Sequence, residues 1–347
     1  MSKVLVGLSG GIDSAVTIAL LKQQGHEVYG YTLKLLEATS EESEGCCTFK
    51  DIRDAKMVCD KMGIEYLVTN WKQHFKKNII DKYVQGARDG VAYNPCVSCN
   101  STVKIPVLVA VANHFGCDYV ATGHYARIKN GKIAKAVNAA KDQSYFLWET
   151  PTHLVDRIMF PLGEFTSKDD TRALAREFGL HVADKKDSTD LCFLEGGTKE
   201  AFLAKHGINT ESNPGEFIDS TGAVIGRHNG YARFVTGQRA SIGGTGTPRY
   251  VLNVLPASNR VVVGTREQAS ARTLRLNNHR IDFKGDTTGI TAVLRYHSAP
   301  VPVEAIRSLG EGDAVEVTLA NDVFGVAAGQ SCVFYQDDVV MGGGVIA

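Results

Sequence analysis

The sequence predicts an α/β protein of three domains: an N-terminal domain built on a parallel sheet, a small central domain and a C-terminal β-barrel. Three observations lead there. Through the first half, short apolar runs alternate with helical stretches that close on glycine, the pattern of successive βαβ units. Near residue 197 the texture changes to short extended segments cut by Pro214-Gly215, Gly222, Gly226, Gly230 and the run at Gly243–Thr247. From about Thr273 the pattern is all-β, with strands spaced as in a small barrel. A chain of 347 residues accommodates two or three cores at about 100–200 residues per domain. The expected boundaries are 1–196, 197–268 and 269–347.

Taken in order, Val4–Leu8 reads as the first strand, followed by a glycine turn and a helix over Asp13–Gln24, which Gly25 closes. Val28–Leu33 is the second strand. Asp51–Met62 is amphipathic, Gly63 stops it, and Ile64–Val68 follows as a strand. Pro106–Phe115 reads as a helix ended by Gly116, and Tyr119–Thr122 as a buried strand. Thr166–Phe178 is a further helix with Thr166 or Ser167 as N-cap and Gly179 beyond its end. In the second half, Tyr250–Leu255 and Arg260–Gly264 flank an Asn-containing turn. Ile290–Arg295, Ala314–Leu319, Val323–Ala327, Ser331–Tyr335 and Val339–Met341 are the expected barrel strands.

Composition excludes several classes. With 44% apolar and 22% charged residues, the chain is neither disordered nor fibrous. Its 38 basic and 38 acidic residues cancel, so bulk charge names no polyanionic partner, although a local patch remains compatible with neutrality. No run approaches the roughly 18 apolar residues of a membrane helix, so no membrane partner is expected. The opening MSKVLVGLSGG breaks at glycine too early for a secretory signal. Eight cysteines are too sparse for a disulfide scaffold, so a cytoplasmic location is expected, with catalytic, metal-binding or buried thiols. Cys59, Cys117 and Cys332 sit in apolar patterns as small core residues. Cys46 and Cys47 lie in a polar loop.

Ser9-Gly10-Gly11-Ile12-Asp13-Ser14 falls between the first strand and its helix. Paired glycines let the backbone approach a phosphate, and the helix N-terminus turns free N–H groups and its dipole toward the anion. Ser9 and Ser14 add hydroxyls, and Asp13 suits Mg²⁺ or a water. The Gly-Lys-Ser/Thr ending of a Walker loop is missing, and the spacing is not that of a dinucleotide fingerprint. The second signal is Asn94-Pro95-Cys96-Val97-Ser98-Cys99-Asn100, followed by helix-prone Ser101–Ala112. A cysteine just ahead of a helix has its thiolate favoured by the dipole, and the C-x-x-C spacing suits a redox pair or half a metal site. A third cysteine, Cys192, lies in DSTDLCF, whose polar lead-in suggests a loop in which a reactive thiol can swing.

The hexapeptide resembles the pyrophosphate loop of the ATP pyrophosphatases. Together with NPCVSCN, KDQSYFL at Lys141–Leu147, DSTDLCF, GQR at Gly237–Arg239 and GQSCVFY at Gly329–Tyr335, it stands in the order seen in the tRNA-specific 2-thiouridylases. The resemblance runs over nearly the whole chain. It implies an adenine-nucleotide hydrolase-like N-terminal domain, of Rossmann-like build, before the central domain and the barrel. The implied reaction is ATP-dependent replacement of the C2 oxygen of the wobble uridine by sulfur, in tRNAs for lysine, glutamate and glutamine. ATP with Mg²⁺ and tRNA are the implied cofactors and partner, and sulfur comes from a cysteine desulfurase or a sulfur-relay protein.

By the same resemblance, Gly7, Leu8, Ser9, Gly10, Gly11, Ile12, Asp13 and Ser14 bind the ATP phosphates, with Leu33 and Gly123 nearer the adenosine. Cys99 matches the nucleophile and Cys192 the persulfide carrier, and the reaction leaves a Cys99–Cys192 disulfide to be reduced. Asn94, Pro95 and Cys96 match the segment lining the target base. His124, Lys141, Asp142, Gln143, Arg295, Tyr296 and Gln330 match tRNA-contacting positions. His124 also reads as a neutral core histidine. The basic stretch Lys72–Lys77, interleaved with aromatic residues, reads as an RNA contact or as the solvated end of a helix.

One position departs from the pattern: many relatives carry an aspartate three residues before the first catalytic cysteine, and here that residue is Cys96. Cys96, Cys99 and Cys192 would then form a three-thiolate site for a labile [4Fe–4S] cluster, as the alternative to the persulfide route. Two rival classes share parts of the sequence. A small-molecule ATP pyrophosphatase would use the loop but neither Cys99 nor Cys192, and a redox-responsive RNA-binding protein would use the C-x-x-C without consuming ATP.

Overall fold

The computed structural model describes all residues except 38–47, 187–190, 195–196, 243–246, 284 and 311–313. Cys46 and Cys47, the Asp187–Asp190 part of DSTDLCF and the Gly243–Gly246 run lie outside the described residues. The chain divides into two compact units: residues 1–80, 96–196 and 338–340 form one, and 81–95, 197–337 and 341–347 the other.

The first unit is organised on a parallel sheet of β1 (Lys3–Gly7), β2 (Glu27–Lys34), β3 (Tyr66–Asn70), β4 (Tyr119–Ala121) and β7 (Ile158–Met159) in the order β3-β2-β1-β4-β7. The central strand β1 is buried through Val4, Leu5 and Val6, as expected of a parallel strand covered on both faces. Strand order reverses beside β1, so a crevice opens at the carboxyl ends of β1 and β4, where open α/β sheets take their ligands. Helix α1 (Ile12–Gln23) follows β1. Its residues Val16, Ile18, Ala19 and Leu21 are fully buried. Helix α2 (Phe49–Met62) begins at a capping box in which Thr48 and Asp51 exchange hydrogen bonds, and ends on Gly63 in the left-handed region at φ 61°. The hairpin of β5 (Ala126–Lys129) and β6 (Lys132–Lys135) is an addition that the sequence reading did not contain.

A helical run over Pro95–His114 changes the reading of the NPCVSCN segment. Cys96 and Cys99 lie inside the helix and not ahead of it, because Pro95 occupies its first turn, where a missing N–H costs nothing. The run is α-helical over Pro95–Cys99, π-helical over Asn100–Lys104 and α-helical again over Ile105–His114. By length and mean hydropathy it is the one helix among the described residues that passes for a membrane span, although polar Ser98, Asn100, Ser101, Thr102 and Lys104 interrupt it. Its apolar window is 61% buried within the protein, the condition of a core helix. The basic stretch near residue 72 is likewise anchored inward. Phe75 is fully buried against Phe193, with ring centroids 6.3 Å apart, and Trp71 Nε1 donates to Tyr31 and Thr69 hydroxyls.

The second unit holds two sheets. The central one has β8 (Gly215–Ile218), β9 (Val224–His228), β10 (Arg239–Ala240), β11 (Arg249–Leu255) and β12 (Arg260–Gly264) in the order β10-β11-β12-β8-β9. Phe217, Val251, Val254, Val261 and Val263 form its small core. The other contains β13 (Ser270–Ile281), β14 (Ile290–Val293), β15 (Val301–Ser308), β16 (Val315–Phe324), β17 (Ser331–Gln336) and β18 (Val339–Ile346). Its antiparallel order β13-β16-β15-β14-β17-β18 closes through the pairing of β13 with β18 into a six-stranded barrel. Two expected strands, Ala314–Leu319 and Val323–Ala327, are one: β16 continues through Ala320-Asn321-Asp322, and its register on β13 shifts there, Ala271 facing Val323 and Thr273 facing Thr318, so the extra residues lie on β16.

Candidate active site

The glycine-rich loop stands where the sheet topology places a ligand. Gly10 has φ +74°, and a Cβ there would lie 2.4 Å from the Asp51 carbonyl oxygen, so both the left-handed backbone and the close packing require glycine. Gly11 caps α1 with extended backbone and no side-chain hydrogen bond, leaving the N–H groups of the first turn to a ligand. Ser14 Oγ folds back on the loop, donating to the Gly11 carbonyl (3.0 Å) and accepting from Ser9 N–H (3.2 Å). Leu33, buried, is the last residue but one of β2. Gly123 follows β4, and its backbone rests on the first turn of α1: a Cβ would come within 2.8 Å of Ser14 N. The expected nucleotide residues are thus gathered at one end of one sheet.

Groups that sequence reading missed surround the loop. Lys168 Nζ pairs with Asp13 Oδ1 at 2.5 Å, and the Tyr125 hydroxyl donates to the same oxygen at 2.9 Å. Asp13 therefore meets a cation and a hydroxyl already, and a Mg²⁺ ion at its Oδ1 would have to displace them. Lys185 Nζ donates to the Gly10 carbonyl (2.9 Å), Asp51 Oδ1 (2.8 Å) and Asp54 Oδ2 (2.6 Å). Burial alone would lower the Lys185 pKa, but the two carboxylates outweigh it and hold the ammonium above its ordinary value. Asp54 shows the converse: burial pushes its carboxyl up, and Lys185 with His181 brings it below the usual range. Both lysines come to the loop from far along the chain.

Both cysteines assigned to sulfur chemistry lie in this unit. Cys99 is 4% exposed, at the last α-helical residue before the π-turn. Cys192 is half-buried and opens a short 3₁₀ turn, Cys192–Leu194, whose Phe193 is buried. Cys96 is half-buried. Among the described residues no three His, Cys, Asp or Glu side chains are grouped so as to hold a metal ion. Cys96, Cys99 and Cys192 do not fit a three-thiolate cluster site as they stand. Burial pushes the Cys59 thiol up to about 12 and raises Cys117 and Cys332 as well, in keeping with inert core residues.

The residues expected to meet RNA divide into exposed and inward groups. Arg295 is exposed, and the neighbouring Tyr296 is 39% exposed with its ring 3.9 Å from that of His297. Lys141 is half-buried. Asp142 turns onto its own segment: its Oδ1 accepts from the N–H groups of Ala136 and Ser144, and its Oδ2 from the Ser144 hydroxyl. Burial raises its pKa against those hydrogen bonds. Gln143 Oε1 accepts from Tyr125 N–H at 3.0 Å, linking it to the residue that holds Asp13. Gln330 Nε2 donates to the Ala92 carbonyl at 2.6 Å, and Ala92 N–H donates to Ala328, so Gln330 anchors the lead-in to Asn94 and Pro95. His124 Nδ1 lies 2.8 Å from Thr122 Oγ1. Burial of its ring, with a smaller push from the Lys104 charge, lowers its pKa to about 3, although the residue as a whole is only half-buried; its imidazole is neutral.

Comparison with known proteins covers the chain end to end. A family profile described as "tRNA methyl transferase HUP domain" matches residues 2–196, "tRNA methyl transferase PRC-barrel domain" 200–265, and "Aminomethyltransferase beta-barrel domain" 268–346. The tRNA-specific 2-thiouridylase MnmA of Paramagnetospirillum magneticum is 38% identical over 99% of this chain and 95% of its own length. Its namesake from Carboxydothermus hydrogenoformans is 37% identical over 99% and 97%, and that of Microcystis aeruginosa 39% identical over 100% and 99%. The methyl-transferase wording describes the profiles; relatives aligned over their full length carry the thiouridylase name. Identity of this order across whole chains places the protein, an enzyme, in the tRNA-specific 2-thiouridylase family.

Proposed function

We propose that the protein converts the wobble uridine of lysine, glutamate and glutamine tRNAs to 2-thiouridine, at the expense of ATP and a sulfur donor. The observation that carries the reading is that one compact unit holds an open anion-binding loop, a buried cysteine at a helix irregularity and a second, half-buried cysteine on a short turn. A small-molecule ATP pyrophosphatase has a use for the first of these alone.

In this account Gly7–Ser14 receives the ATP phosphates, with the adenosine toward Leu33 and Gly123. Lys168 and Lys185 supply positive charge beside the phosphates. The uridine C2 oxygen attacks the α-phosphate, pyrophosphate leaves, and C2 then carries AMP as leaving group. Cys192, charged as a persulfide by a desulfurase or a relay protein, attacks C2 with its outer sulfur and expels AMP. The Cys99 thiolate attacks the inner sulfur of Cys192 and breaks the S–S bond, which releases 2-thiouridine and leaves a Cys99–Cys192 disulfide. A two-electron thiol reductant restores both cysteines. Asn94, Pro95 and Cys96 line the base, and Lys141, Arg295 and Tyr296 contact the RNA. Mg²⁺ accompanies ATP.

The experiment is incubation with ATP, Mg²⁺, a persulfide source and unmodified lysine tRNA, read by nucleoside mass spectrometry. 2-Thiouridine that requires ATP, Cys99 and Cys192 is the expected product. ATP cleavage indifferent to tRNA, with no thionucleoside, contradicts the proposal.

A further inference from the structure

The helix that carries Cys99 departs from α geometry immediately after it, over Asn100–Lys104. Such π-turns concentrate at functional sites. Asn100, its first residue, is 3% exposed. Its Nδ2 donates to the Phe146 carbonyl at 3.1 Å, which fixes the orientation of the carboxamide. The other end, Oδ1, is buried and accepts no hydrogen bond. A buried acceptor without a donor is a standing cost to stability, and a leucine of the same branched shape would avoid it. The amide is therefore kept for what its N–H group does.

Phe146 leads back to the nucleotide loop. Its N–H donates to the Gln143 carbonyl at 3.0 Å, Gln143 Oε1 accepts from Tyr125 N–H at 3.0 Å, and the Tyr125 hydroxyl donates to Asp13 at 2.9 Å. We propose that Asn100 is a positioning residue for Cys99: its carboxamide clamps the start of the π-turn to the Phe146 carbonyl and so aligns the thiol with the segment that holds Asp13. The inference rests on the reading of Cys99 as the nucleophile of the sulfur step.

Asn100→Leu keeps the branched shape and removes both the unpartnered oxygen and the donor, while Asn100→Asp keeps shape and size and removes the donor alone. For each variant, three quantities are read: tRNA-dependent pyrophosphate release, 2-thiouridine formation, and the pH dependence of Cys99 alkylation by iodoacetamide, followed by peptide mass spectrometry. Pyrophosphate release is expected within about twofold of wild type, with thiolation lower by about 10- to 100-fold, the scale of an ångström-sized misplacement, and the alkylation profile displaced. Wild-type thiolation with a wild-type alkylation profile in either variant overturns the proposal. So does loss of pyrophosphate release in step with thiolation, which would mean that Asn100 holds the fold and not the thiol. Normal thiolation by Cys99→Ser would instead defeat the underlying reading of Cys99.

Discussion

Asp13 sits in the loop with a lysine and a tyrosine on one of its oxygens, so its carboxylate organises the site as well as facing it. Asp13→Ala is expected to abolish tRNA-dependent pyrophosphate release, while the loss in tRNA affinity stays within about 1–3 kcal/mol, the scale of one polar contact. Normal release by that variant would remove the loop assignment. Lys185 is held by two largely buried carboxylates, and Lys185→Met would leave Asp51 without its cation and Asp54 with His181 alone. The expected cost is about 3 kcal/mol in urea unfolding, relieved in part by Asp54→Asn; an unchanged midpoint would contradict it. His124 gives a pH prediction. The unfolded imidazole takes a proton near its ordinary 6.5, whereas the folded one stays neutral to about 3. Its contribution is thus fully present above pH 6.5, and stability falls as pH drops from there toward 3. His124→Gln should lose less stability than wild type between pH 7 and pH 5, and equal losses would show that the ring is not held neutral. Ser9, Asp13 and Cys99 were legible as residues because glycine and cysteine spacing marks them. Lys168 and Lys185 were not, since only the folded sheet brings them to a loop more than 150 residues away.

At the scale of elements, the junction of β1 with α1 depends on Gly10. Gly10→Ala forces a side chain into the left-handed region, at roughly 1–2 kcal/mol, and drives its Cβ into the Asp51 backbone. ATP affinity measured by calorimetry should fall sharply, and retention of wild-type affinity would show that the loop re-forms without glycine. Apart from the short edge strand β7, which no expected element covered, the strands of the sheet and their helices were readable from apolar runs closed by glycine, and Ser167 does cap its helix, accepting from Asp170 N–H. The helix start at Pro95 was missed because Asn94-Pro95 reads as a turn until Pro95 is placed at a first helical position. The β5–β6 hairpin is present in the sequence but was not read from it: Ala126-Arg127-Ile128-Lys129 alternates apolar with polar residues, and Asn130-Gly131, both at positive φ (52° and 69°), forms the two-residue turn.

For the whole molecule, neutrality hides distribution. Residues 197–347 carry eleven arginines against three lysines, and arginine is the better fork for phosphate. tRNA binding should weaken steeply with salt as counterions are released, and Arg295→Ala should flatten that slope with ATP affinity unchanged. Equal affinity at low and high salt would exclude backbone contacts as its main source. Barrel closure was foreseen from strand spacing, whereas the pairing of β13 with β18 that achieves it joins segments too distant for any local pattern to show. The central claim is that each sulfur inserted consumes one ATP split at the α-phosphate and uses both cysteines. It is tested most directly by measuring pyrophosphate and 2-thiouridine in the same single-turnover sample, with persulfide-charged protein, ATP and lysine tRNA. The account predicts equal amounts of the two, with pyrophosphate alone from Cys192→Ser. Thionucleoside formed without pyrophosphate, or in full yield by Cys192→Ser, would contradict it.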